Sequence, residues 1–502
     1  MFPDFKTFKQ LSQSHSLVPT FLEMPADLET PVTVYLKAGA PKKYSALLES
    51  VEGLGSSARH SFIAVSYHYR FECSKNRVQI YSLSSNSKEV LIEKRDEDKP
   101  LLALKKLLQQ FKPVILPELP RFCGGAIGTV SYDMVRNFEK VPQIHPTENE
   151  TPDGLFLLTD ECIVFDHWKH KLFLIKWNLV SDKSEKGLLK AYKTSELTLR
   201  KLEEDIKNKK ISGKNRNQTL GSSMGKVRSN FSKEEFCKAV LKCKEYIRAG
   251  DVIQTVLSQR FELECALDPF QVYRALRMIN PSPYLYYLNF QHFSVAGSSP
   301  EILVRKAGDT ATVRPIAGTR RRGKTVEEDI ALEKELLSDE KEKAEHLMLV
   351  DLGRNDLGRT CQSGTVRMEN FMSVERYSHV MHLVSTVTGR LDKGKDAFDL
   401  FQACFPAGTV TGAPKIRAME IIEELEKRRR GLYAGSIGYF SYSGDMDMAI
   451  TIRTILFKDH KMYIQAGAGI VADSIPEREE KETRSKAQAL FKAIELAHSG
   501  TL

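Results

Sequence analysis

The chain has 502 residues with a formal net charge of +9, and 28% of its residues are charged. This length is too great for one compact core, so we expect two large lobes, or two interleaved ones. No run of about eighteen apolar residues occurs, and the first residues lack the basic-then-apolar pattern of a secretory signal. These absences argue against a membrane protein or a membrane partner and favour a cytoplasmic location.

The eight cysteines are scattered, with no Cys-x-x-Cys pair, so we expect reduced packing residues instead of a zinc site or a disulfide framework. Much of the positive charge lies in residues 186–228, a polar segment with few aromatic side chains. Charge without stacking aromatics is more typical of a solvated linker than of a nucleic-acid interface. We predict a basic linker, no nucleic-acid partner, and a boundary between residues 1–228 and residues 229–502.

The first part of the chain is predicted to be rich in strands, with helices around them. Apolar runs and turn residues indicate the strands, and a one-sided leucine pattern indicates a helix. Residues 44–50 form a short amphipathic segment. The predicted strands are 32–37, 62–71, 78–83, 122–128, 154–165 and 171–177, and the predicted helix is 101–111.

The second part begins with a capping box, Ser232 and Glu235, for a helix that ends at Gly250. Strands and hairpins follow in close succession, which together with separate helices indicates an α+β fold with large antiparallel sheets flanked by helices. The predicted strands are 251–263, 284–290, 293–298, a hairpin from 300 that turns at Gly308-Asp309, and a meander of 434–441, 448–457 and 462–468.

Loops and caps complete the predicted elements. Small residues predict a loop at 317–319 and another at 408–414, which precedes a helix over 415–426. Ser474 and Glu477 form a capping box that predicts the start of the last helix.

Two predicted helices each carry glutamates three residues apart, Glu342 with Glu345 and Glu479 with Glu482. Residues three apart share one helix face, so each pair presents two carboxylates together. If the helices meet, four carboxylates require a cation, and Mg²⁺ suits hard oxygen ligands. If they do not meet, the same spacing describes a solvated helix face.

Several polar residues lie in apolar surroundings. Arg453 falls inside a predicted apolar strand and needs an anion, either a structural ion-pair partner or a ligand carboxylate. The amides of residues 467–469 suit an oxyanion or a tight turn. His382 is either a core histidine or a catalytic one. Burial of Glu301 would raise its pKa and let it act as a general acid near neutral pH.

Three long motifs occur in order in the second half of the chain: PIAGTR at 315–320, DLGRNDL at 351–357 and FPAGTVTGAPK at 405–415. Together they resemble the chorismate-utilising enzymes, most closely the anthranilate synthase component I family. LLES at 47–50 and FCGG at 122–125 are similar to the N-terminal domain of that family, so the resemblance covers nearly the whole chain. It implies a regulatory N-terminal domain and a chorismate-binding catalytic domain that holds the active site.

The resemblance implies an Mg²⁺-dependent lyase, the large subunit of an anthranilate synthase. Such an enzyme converts chorismate and ammonia to anthranilate and pyruvate through aminodeoxyisochorismate, the first step of tryptophan biosynthesis. The chain lacks the Gly-x-Cys-x-Gly nucleophile elbow of a glutamine amidotransferase. The ammonia is therefore expected from a separate amidotransferase subunit, in a heterotetramer of two large and two small subunits, or from free ammonia.

The resemblance also implies a role for each matching residue. Glu301 is the acid that protonates the leaving hydroxyl at ring carbon 4 while ammonia attacks carbon 2, and His382 and Thr409 serve the loss of pyruvate. The metal ligands it implies are Glu342, Glu345, Glu479 and Glu482. The substrate-binding residues it implies are Gly318 and Thr319 at the ring, Tyr433 and Arg453 at the enolpyruvyl carboxylate, and Gly467, Ala468 and Gly469 at the ring carboxylate.

Two positions distinguish this chain from sibling enzymes. Isochorismate and salicylate synthases carry a water-activating Lys where this chain has Gln254, and a Gln cannot deprotonate water whereas ammonia needs no base. Many aminodeoxychorismate synthases carry a nucleophilic Lys where this chain has Ala317. Both residues favour direct amination. Some aminodeoxychorismate synthases also lack the Lys, so component I of that folate-pathway enzyme remains the alternative.

A second site is implied in the N-terminal part. The segments around Glu49 and Ser50 and around Pro283, Tyr284 and Leu285 resemble the family's tryptophan-inhibition site. Glu49 or nearby carbonyls would meet the ligand ammonium, and Ser50 would bond the ligand. Leu285 stands where Met is more usual. The competing interpretation is a plain contact between lobes.

Overall fold

The computed structural model describes residues 1–39, 44–50, 59–83, 88–146, 151–211, 225–264, 266–377 and 380–500. Pro41, which we expect to end the predicted strand 32–37, lies outside these ranges, as do residues 212–224 of the predicted linker and Cys265. The described cysteines are free thiols.

The helices of the described chain precede, connect and follow the strands. They are α1 (Phe5–Ser14), α2 (Pro31–Lys37), α3 (Pro100–Gln109), α4 (Glu185–Asn208), α5 (Lys233–Arg248), α6 (Pro269–Ile279), α7 (Val326–Ser338), α8 (Glu340–Gly358), α9 (Ala397–Cys404), α10 (Lys415–Leu425) and α11 (Pro476–His498).

The strands of the described chain pair almost continuously. They are β1 (Leu17–Pro25), β2 (Tyr44–Glu49), β3 (His60–Ser74), β4 (Arg77–Leu83), β5 (Glu89–Asp96), β6 (Gly125–Val130), β7 (Gly154–Asp166), β8 (Lys171–Leu179), β9 (Arg228–Ser229), β10 (Gln254–Glu264), β11 (Tyr284–Phe290), β12 (Phe293–Ser299), β13 (Ile302–Ala307), β14 (Thr310–Val313), β15 (Ile316–Arg321), β16 (Arg367–Arg376), β17 (Val380–Arg390), β18 (Gly412–Ala413), β19 (Ser436–Ser441), β20 (Met446–Ile450), β21 (Thr454–Lys458) and β22 (Lys461–Ile470).

All strand ladders of the described chain are antiparallel, and two runs of strands share the long strands β3 and β7. One run has the order β1-β8-β7-β3-β2-β11-β12-β21-β22-β10. The other continues from β7 through β6-β19-β20-β13-β14-β17, where β15 and β16 both pair with β17. The predicted α+β class with antiparallel sheets flanked by helices is confirmed.

The two parts of the chain contribute strands to the same ladders. β2 pairs with β11, and β6 pairs with β19. The predicted interleaving is therefore present, because strands before residue 228 lie between strands that follow it. The boundary at residue 228 stays a prediction.

The C-terminal helix α11 packs on β22 and contacts α5 and α6. Ala487, Leu490 and Ile494 are buried in one core with Phe261 and Ile464 of β10 and β22. This apolar contact holds the C-terminal half of α11 against the sheet and leaves its acidic first turns beside the β22 edge.

Two predictions in the first part are wrong. Residues 32–37 form α2 and not a strand, because Pro31 occupies the first helical turn and Thr30 with Thr33 forms a capping box before it. The segment predicted as a linker begins with α4, whose Leu199 and Ile206 are fully buried. The apolar stripe of α4 packs on the β8 face, so this part of the basic segment is structural.

Three predictions in the second part need correction. Residues 317–319 lie inside β15, where Gly318 has φ +65° at a shift of register. The run 448–457 is divided into β20 and β21, which pair with different strands, so the predicted meander is absent. Ser474 does not cap α11: its hydroxyl accepts a hydrogen bond from the Val471 N–H, and Ile475 precedes the helix without a side-chain cap.

Candidate active site

A cavity of about 640 Å³ lies among β10, β15, β17, β22, α8 and α11. Its walls contain every predicted catalytic and metal-binding residue and every predicted substrate-binding residue except Ala468. The side chains that line it include Gln254, Glu301, Thr319, Glu342, Glu345, His382, Thr409, Tyr433, Arg453, Glu479 and Glu482, with the backbone of Gly318, Gly467 and Gly469.

Glu301 is a buried carboxyl between β12 and β13, with 8% of its surface exposed. Burial raises the pKa of Glu301 to about 7, against smaller lowering effects of the Thr409 hydroxyl and of Lys486. The carboxyl is therefore close to half-protonated at neutral pH, which is the condition a general acid needs.

Arg453 lies in the break between β20 and β21, with φ +51°. Burial lowers the pKa of Arg453, and the nearby Tyr433 and Glu482 partly offset that effect. Among the described residues its guanidinium has no hydrogen-bond or ion-pair partner, whereas its carbonyl accepts a bond from the Ser298 N–H at 3.1 Å. The structural ion pair considered from sequence is thus absent from the described chain, and a ligand anion is left as the partner.

The Gly467–Gly469 segment is part of β22 and not a tight turn. Its pairing with β21 ends at Ile464, so the edge of β22 beyond that residue faces the cavity. A Cβ atom at Gly467 would stand 2.7 Å from the Tyr433 hydroxyl, and one at Gly469 would stand 2.3 Å from Gln254 Nε2. A side chain at either position would therefore displace the end of Tyr433 or of Gln254 from this backbone.

His382 lies on β17 directly opposite Thr319 of β15. Its Nδ1 is 3.0 Å from the Gly318 carbonyl oxygen and 3.1 Å from Thr319 Oγ1. A proton on Nδ1 is donated to that carbonyl, which leaves Nε2 as an acceptor. Burial lowers the pKa of His382, so the ring is neutral at physiological pH.

The four glutamates line the same cavity. Burial raises the pKa of Glu345, and the charges of Glu342 and Glu482 raise it further. Burial also raises the pKa of Glu479, with a further contribution from Glu482. The two helix faces predicted from sequence are therefore close enough for their charges to interact.

Cations of the protein already contact two of these carboxylates. Arg320 donates to Glu342 at 3.3 Å, and Lys486 donates to Glu482 at 2.7 Å. In the ranges that the structure describes, no three His, Cys, Asp or Glu side chains are grouped as a ready-made metal site. The donor chemistry suits an ion that shares its ligands with water and substrate, as Mg²⁺ does, and not an ion in an all-protein cage.

Sequence reasoning missed several residues of this cavity. Lys486 bonds Glu482 and also donates to the Gly467 carbonyl at 3.1 Å. Its spacing four residues after Glu482, on the same helix face, was a usable signal. Gln465 and Lys341 also line the cavity, but their sequence context offers no such signal.

A second cavity lies where β2 pairs with β11 and contains the predicted inhibitor-site residues Glu49, Ser50, Pro283, Tyr284 and Leu285. The Glu49 carboxylate accepts bonds from the Tyr273 hydroxyl and from Arg277 Nε at 3.0 Å. Ser50 Oγ is buried without a hydrogen-bond partner in the described chain. This arrangement favours backbone carbonyls over the Glu49 side chain as acceptors for a ligand ammonium, and it leaves Ser50 available.

The two cavities share a wall. Pro300 and Ile316 line both of them. Glu301 lines the first cavity, while its neighbour Ile302 lines the second. The backbone of residues 300–302 is therefore common to the walls of both cavities.

Comparisons with known proteins agree with this geometry. A family model described as chorismate binding enzyme matches residues 63–492. The chain belongs to the chorismate-binding enzyme family. Anthranilate synthase component 1 of Acetivibrio thermocellus is 46% identical over 500 residues, which cover 99% of each chain. The protein of the same name from Aquifex aeolicus is 47% identical over 495 residues, which cover 97% of each chain.

Two solved structures are similar to this chain over most of its length. Anthranilate synthase component I from Streptococcus pneumoniae has a TM-score of 0.75 and 40% identity, covering 93% of this chain and 98% of that one. The menaquinone-specific isochorismate synthase MenF from Escherichia coli has a TM-score of 0.70 at 20% identity over 97% of this chain and 98% of that one, which shows the shared fold alone. The family member is thus a chorismate-utilising enzyme of the anthranilate synthase component I type, as the sequence resemblance implied.

Proposed function

We propose that this chain converts chorismate and ammonia to anthranilate, pyruvate and water, as the large subunit of an anthranilate synthase. The observation that carries the proposal is the cavity that combines Glu301, with a pKa of about 7, and an Arg453 guanidinium without a protein partner in the described chain. The substrate has two carboxylates and a leaving hydroxyl. The cavity therefore offers a cation and an acid for groups that the substrate contains.

Substrate binding uses both ends of the cavity. Arg453 and Tyr433 hold the enolpyruvyl carboxylate, which supplies the anion that the guanidinium lacks. The amides of Gly467, Ala468 and Gly469 hold the ring carboxylate at the open edge of β22. Gly318 and Thr319 face the ring. Two anchored carboxylates fix the reacting carbon atoms relative to the catalytic side chains.

Mg²⁺ is the proposed cofactor. Glu342, Glu345, Glu479 and Glu482 would hold it, and it would supply positive charge to the ring carboxylate. The support is the charge interaction of Glu345 with Glu342 and Glu482. A divalent cation would relieve that repulsion. It would compete with Arg320 for the Glu342 carboxylate and with Lys486 for the Glu482 carboxylate.

In the first step, Glu301 donates its proton to the hydroxyl that leaves ring carbon 4 as ammonia attacks carbon 2. Gln254 stands at the entrance of β10 with Oε1 buried and without a hydrogen-bond partner among the described residues. This oxygen accepts an N–H of ammonia and cannot deprotonate water. The selection of ammonia over water follows from that difference.

In the second step, the hydrogen on carbon 2 leaves to a base, the bond from carbon 3 to the enolpyruvyl oxygen breaks, and the methylene carbon of pyruvate gains a proton. His382 is the proposed base, because its Nδ1 contacts Gly318 and leaves Nε2 as an acceptor. Thr409 lines the same cavity beside Glu301. Aromatisation to anthranilate drives this step.

The remaining assignments are partners and regulation. Ammonia is proposed to come from a separate glutamine amidotransferase subunit in a heterotetramer, and the cytoplasm is the proposed location. None of the helices in the described ranges combines the length and hydropathy needed to cross a bilayer.

L-tryptophan is proposed to bind the second cavity, where the unpartnered Ser50 hydroxyl and the shared wall with the active site support feedback inhibition. The alternative folate-pathway activity is disfavoured because Ala317 offers no nucleophilic amine.

The test is an assay of the purified chain with chorismate, Mg²⁺ and an ammonium salt at alkaline pH, followed by anthranilate fluorescence with and without tryptophan. We expect anthranilate that depends on Mg²⁺ and decreases with tryptophan. Consumption of chorismate without anthranilate would contradict the proposal. Because aminodeoxychorismate and aminodeoxyisochorismate are isomers of equal mass, NMR spectroscopy of the products would then distinguish them by the position of the amino group.

A further inference from the structure

Arg430 is a fully buried arginine beside the active-site cavity, with 1% of its side chain exposed. Its guanidinium donates to two backbone carbonyls, Val410 at 2.6 Å and Val256 at 2.7 Å. It also donates to both oxygens of Glu426, at 3.0 and 2.6 Å. The flat side chain lies 5.5 Å from the centre of the Tyr433 ring.

Glu426 distributes its hydrogen bonds in a similar way. Its Oε1 accepts from the Ser258 N–H at 2.8 Å and from the Ser258 hydroxyl at 2.7 Å, in addition to Arg430. Ser258 Oγ in turn accepts from Gln465 Nε2 at 2.8 Å, and Gln465 lines the cavity. The ion pair is thus linked by hydrogen bonds to the cavity wall.

Each backbone group that forms a hydrogen bond with this pair is adjacent to a proposed substrate-binding or catalytic residue. Val256 is the strand partner of Gly469, and Ser258 is the strand partner of Gly467. Val410 follows Thr409 in the chain, and Tyr433 follows Arg430 by three residues. One side-chain pair therefore contacts the strand behind the glycine amides, the Thr409 loop and the Tyr433 segment.

The chemistry of the pair explains why charged residues occupy this place. Arginine has five N–H donors in a rigid plane, enough for two carbonyls and a carboxylate together. A lysine has one charged centre that cannot reach all of these acceptors at once. A buried ion pair is in general no more stabilising than apolar residues of the same size, so stability alone does not account for it.

We infer that Arg430 and Glu426 are a positioning pair, which sets the distance between Tyr433, the Thr409 loop and the amides of Gly467–Gly469. Neither side chain contacts the substrate. The pair acts through Val256, Ser258 and Val410, and it keeps the two carboxylate-binding ends of the cavity in register during both chemical steps. This inference rests on the proposed roles of Tyr433, Thr409 and the β22 amides.

The principal test compares Arg430→Lys and Glu426→Gln with the wild-type chain. Arg430→Lys keeps the charge and shortens the reach, so we expect kcat/KM for chorismate to fall about 10- to 100-fold. We also expect a larger share of the product to be released as aminodeoxyisochorismate, because the Thr409 loop is no longer aligned for the second step. Glu426→Gln, which keeps the acceptor oxygen for Ser258, should give a smaller change in the same direction.

Two further variants separate positioning from stability. Ser258→Ala removes one hydroxyl and leaves the ion pair intact, so it tests the positioning role even if Arg430→Lys does not fold. We expect this variant to show a 3- to 10-fold loss of kcat/KM and the same shift in product ratio. Arg417→Lys is the matched control, because Arg417 lies on α10, the helix that Glu426 follows directly, and pairs with Asp251 at a partly exposed position. Its kinetic constants and product ratio should equal those of the wild type.

The outcomes differ for the inference and for the site on which it rests. If folded Arg430→Lys and Ser258→Ala retain the wild-type KM and product ratio while Tyr433→Phe and Thr409→Ala lose activity, the pair is structural only and the inference is wrong. If the activity of these variants falls only in proportion to the fraction of folded protein, the pair is likewise structural only and the inference is wrong. If Tyr433→Phe and Thr409→Ala are also without effect, the site assignment itself fails.

Discussion

Burial determines the chemistry of Glu301. Only 8% of this residue is exposed, and its pKa is raised from 4.5 to about 7. A carboxyl that keeps its proton at neutral pH can donate it, whereas an ordinary surface glutamate cannot. The same burial has a cost to stability at higher pH, because the charged form is poorly solvated.

Replacement of Glu301 by Gln tests both consequences. We expect kcat to fall at least about 100-fold, because the leaving hydroxyl loses its proton donor. In the wild type at constant free ammonia, kcat/KM for chorismate should decrease as pH rises through about 7. Measurement of the pH profile and of kcat checks the role, and a Glu301→Gln enzyme with near-normal kcat would contradict it.

The stability effect of Glu301 has a defined direction. Because its folded-state pKa is raised, its contribution to stability is complete below the unfolded value near 4.5 and is lost as pH rises to about 7. The difference corresponds to about 3 kcal/mol. Thermal unfolding should therefore show Glu301→Gln to be more stable than the wild type at pH 8, with the gain absent at pH 4.5.

Arg453 carries a charge that the described protein does not neutralise. Arg453→Met removes the clamp for the enolpyruvyl carboxylate, so we expect kcat/KM for chorismate to fall about 100-fold. Because the lost charge has no protein partner in the described chain, thermal stability should be retained or increased. Kinetics combined with thermal unfolding checks this, and a strongly destabilised variant would show that Arg453 has a structural partner.

At the scale of elements, α8 and α11 bring the four glutamates to the cavity. The contact of α11 with β22 and the contact of α8 with β15 and β17 place both acidic faces toward the same space. Spacing on each helix makes a pair of carboxylates, but only the packing of the two helices makes a set of four. The proposed metal site therefore depends on the packing of two elements.

Glu479→Gln tests that property. Loss of one carboxylate should raise the Mg²⁺ concentration for half-maximal activity at least about 10-fold, with a smaller change in kcat at saturating Mg²⁺. Glu477→Gln, an exposed position on the same helix turn, is the matched control and should behave as the wild type. Titration of activity with Mg²⁺ is the measurement, and equal curves for both variants would exclude Glu479 as a ligand.

At the scale of the whole molecule, the antiparallel ladders connect the two cavities. β2 and β11 form one cavity, and residues 300–302, which follow β12, separate it from the other. Interleaving of the chain halves is what brings the N-terminal strand β2 beside the catalytic sheet. The proposed feedback inhibition requires that a ligand in the second cavity acts on Glu301 through this short stretch of backbone.

Ser50→Ala tests this connection. The variant removes a buried hydroxyl that has no partner in the described chain, so we expect the tryptophan concentration for half-inhibition to rise about 10-fold while kcat without tryptophan is unchanged. Ser74→Ala, at an exposed end of β3, is the control. Inhibition curves measure the effect, and unchanged inhibition in Ser50→Ala would remove Ser50 from the proposed inhibitor site.

The sequence alone determined the family, the α+β class, most strand positions and the list of candidate site residues, because periodicity, capping boxes and long ordered motifs are local properties of the chain. It could not determine α2, since an apolar run of six residues is compatible with both a strand and a helix. It could not determine the packing of α4, since the sequence does not show which surface the apolar stripe of this helix contacts.

Only the tertiary structure decided which alternatives hold for the polar residues. Arg453 proved to lie at a break between strands without a protein anion in the described ranges, and the glycines at 467–469 proved to form an open strand edge. Glu301 acquired its raised pKa from neighbours distant in sequence, and Arg430 came to join three separate segments. Desolvation and long-range contacts depend on which surfaces pack together in the folded chain, so they cannot be predicted from local sequence patterns.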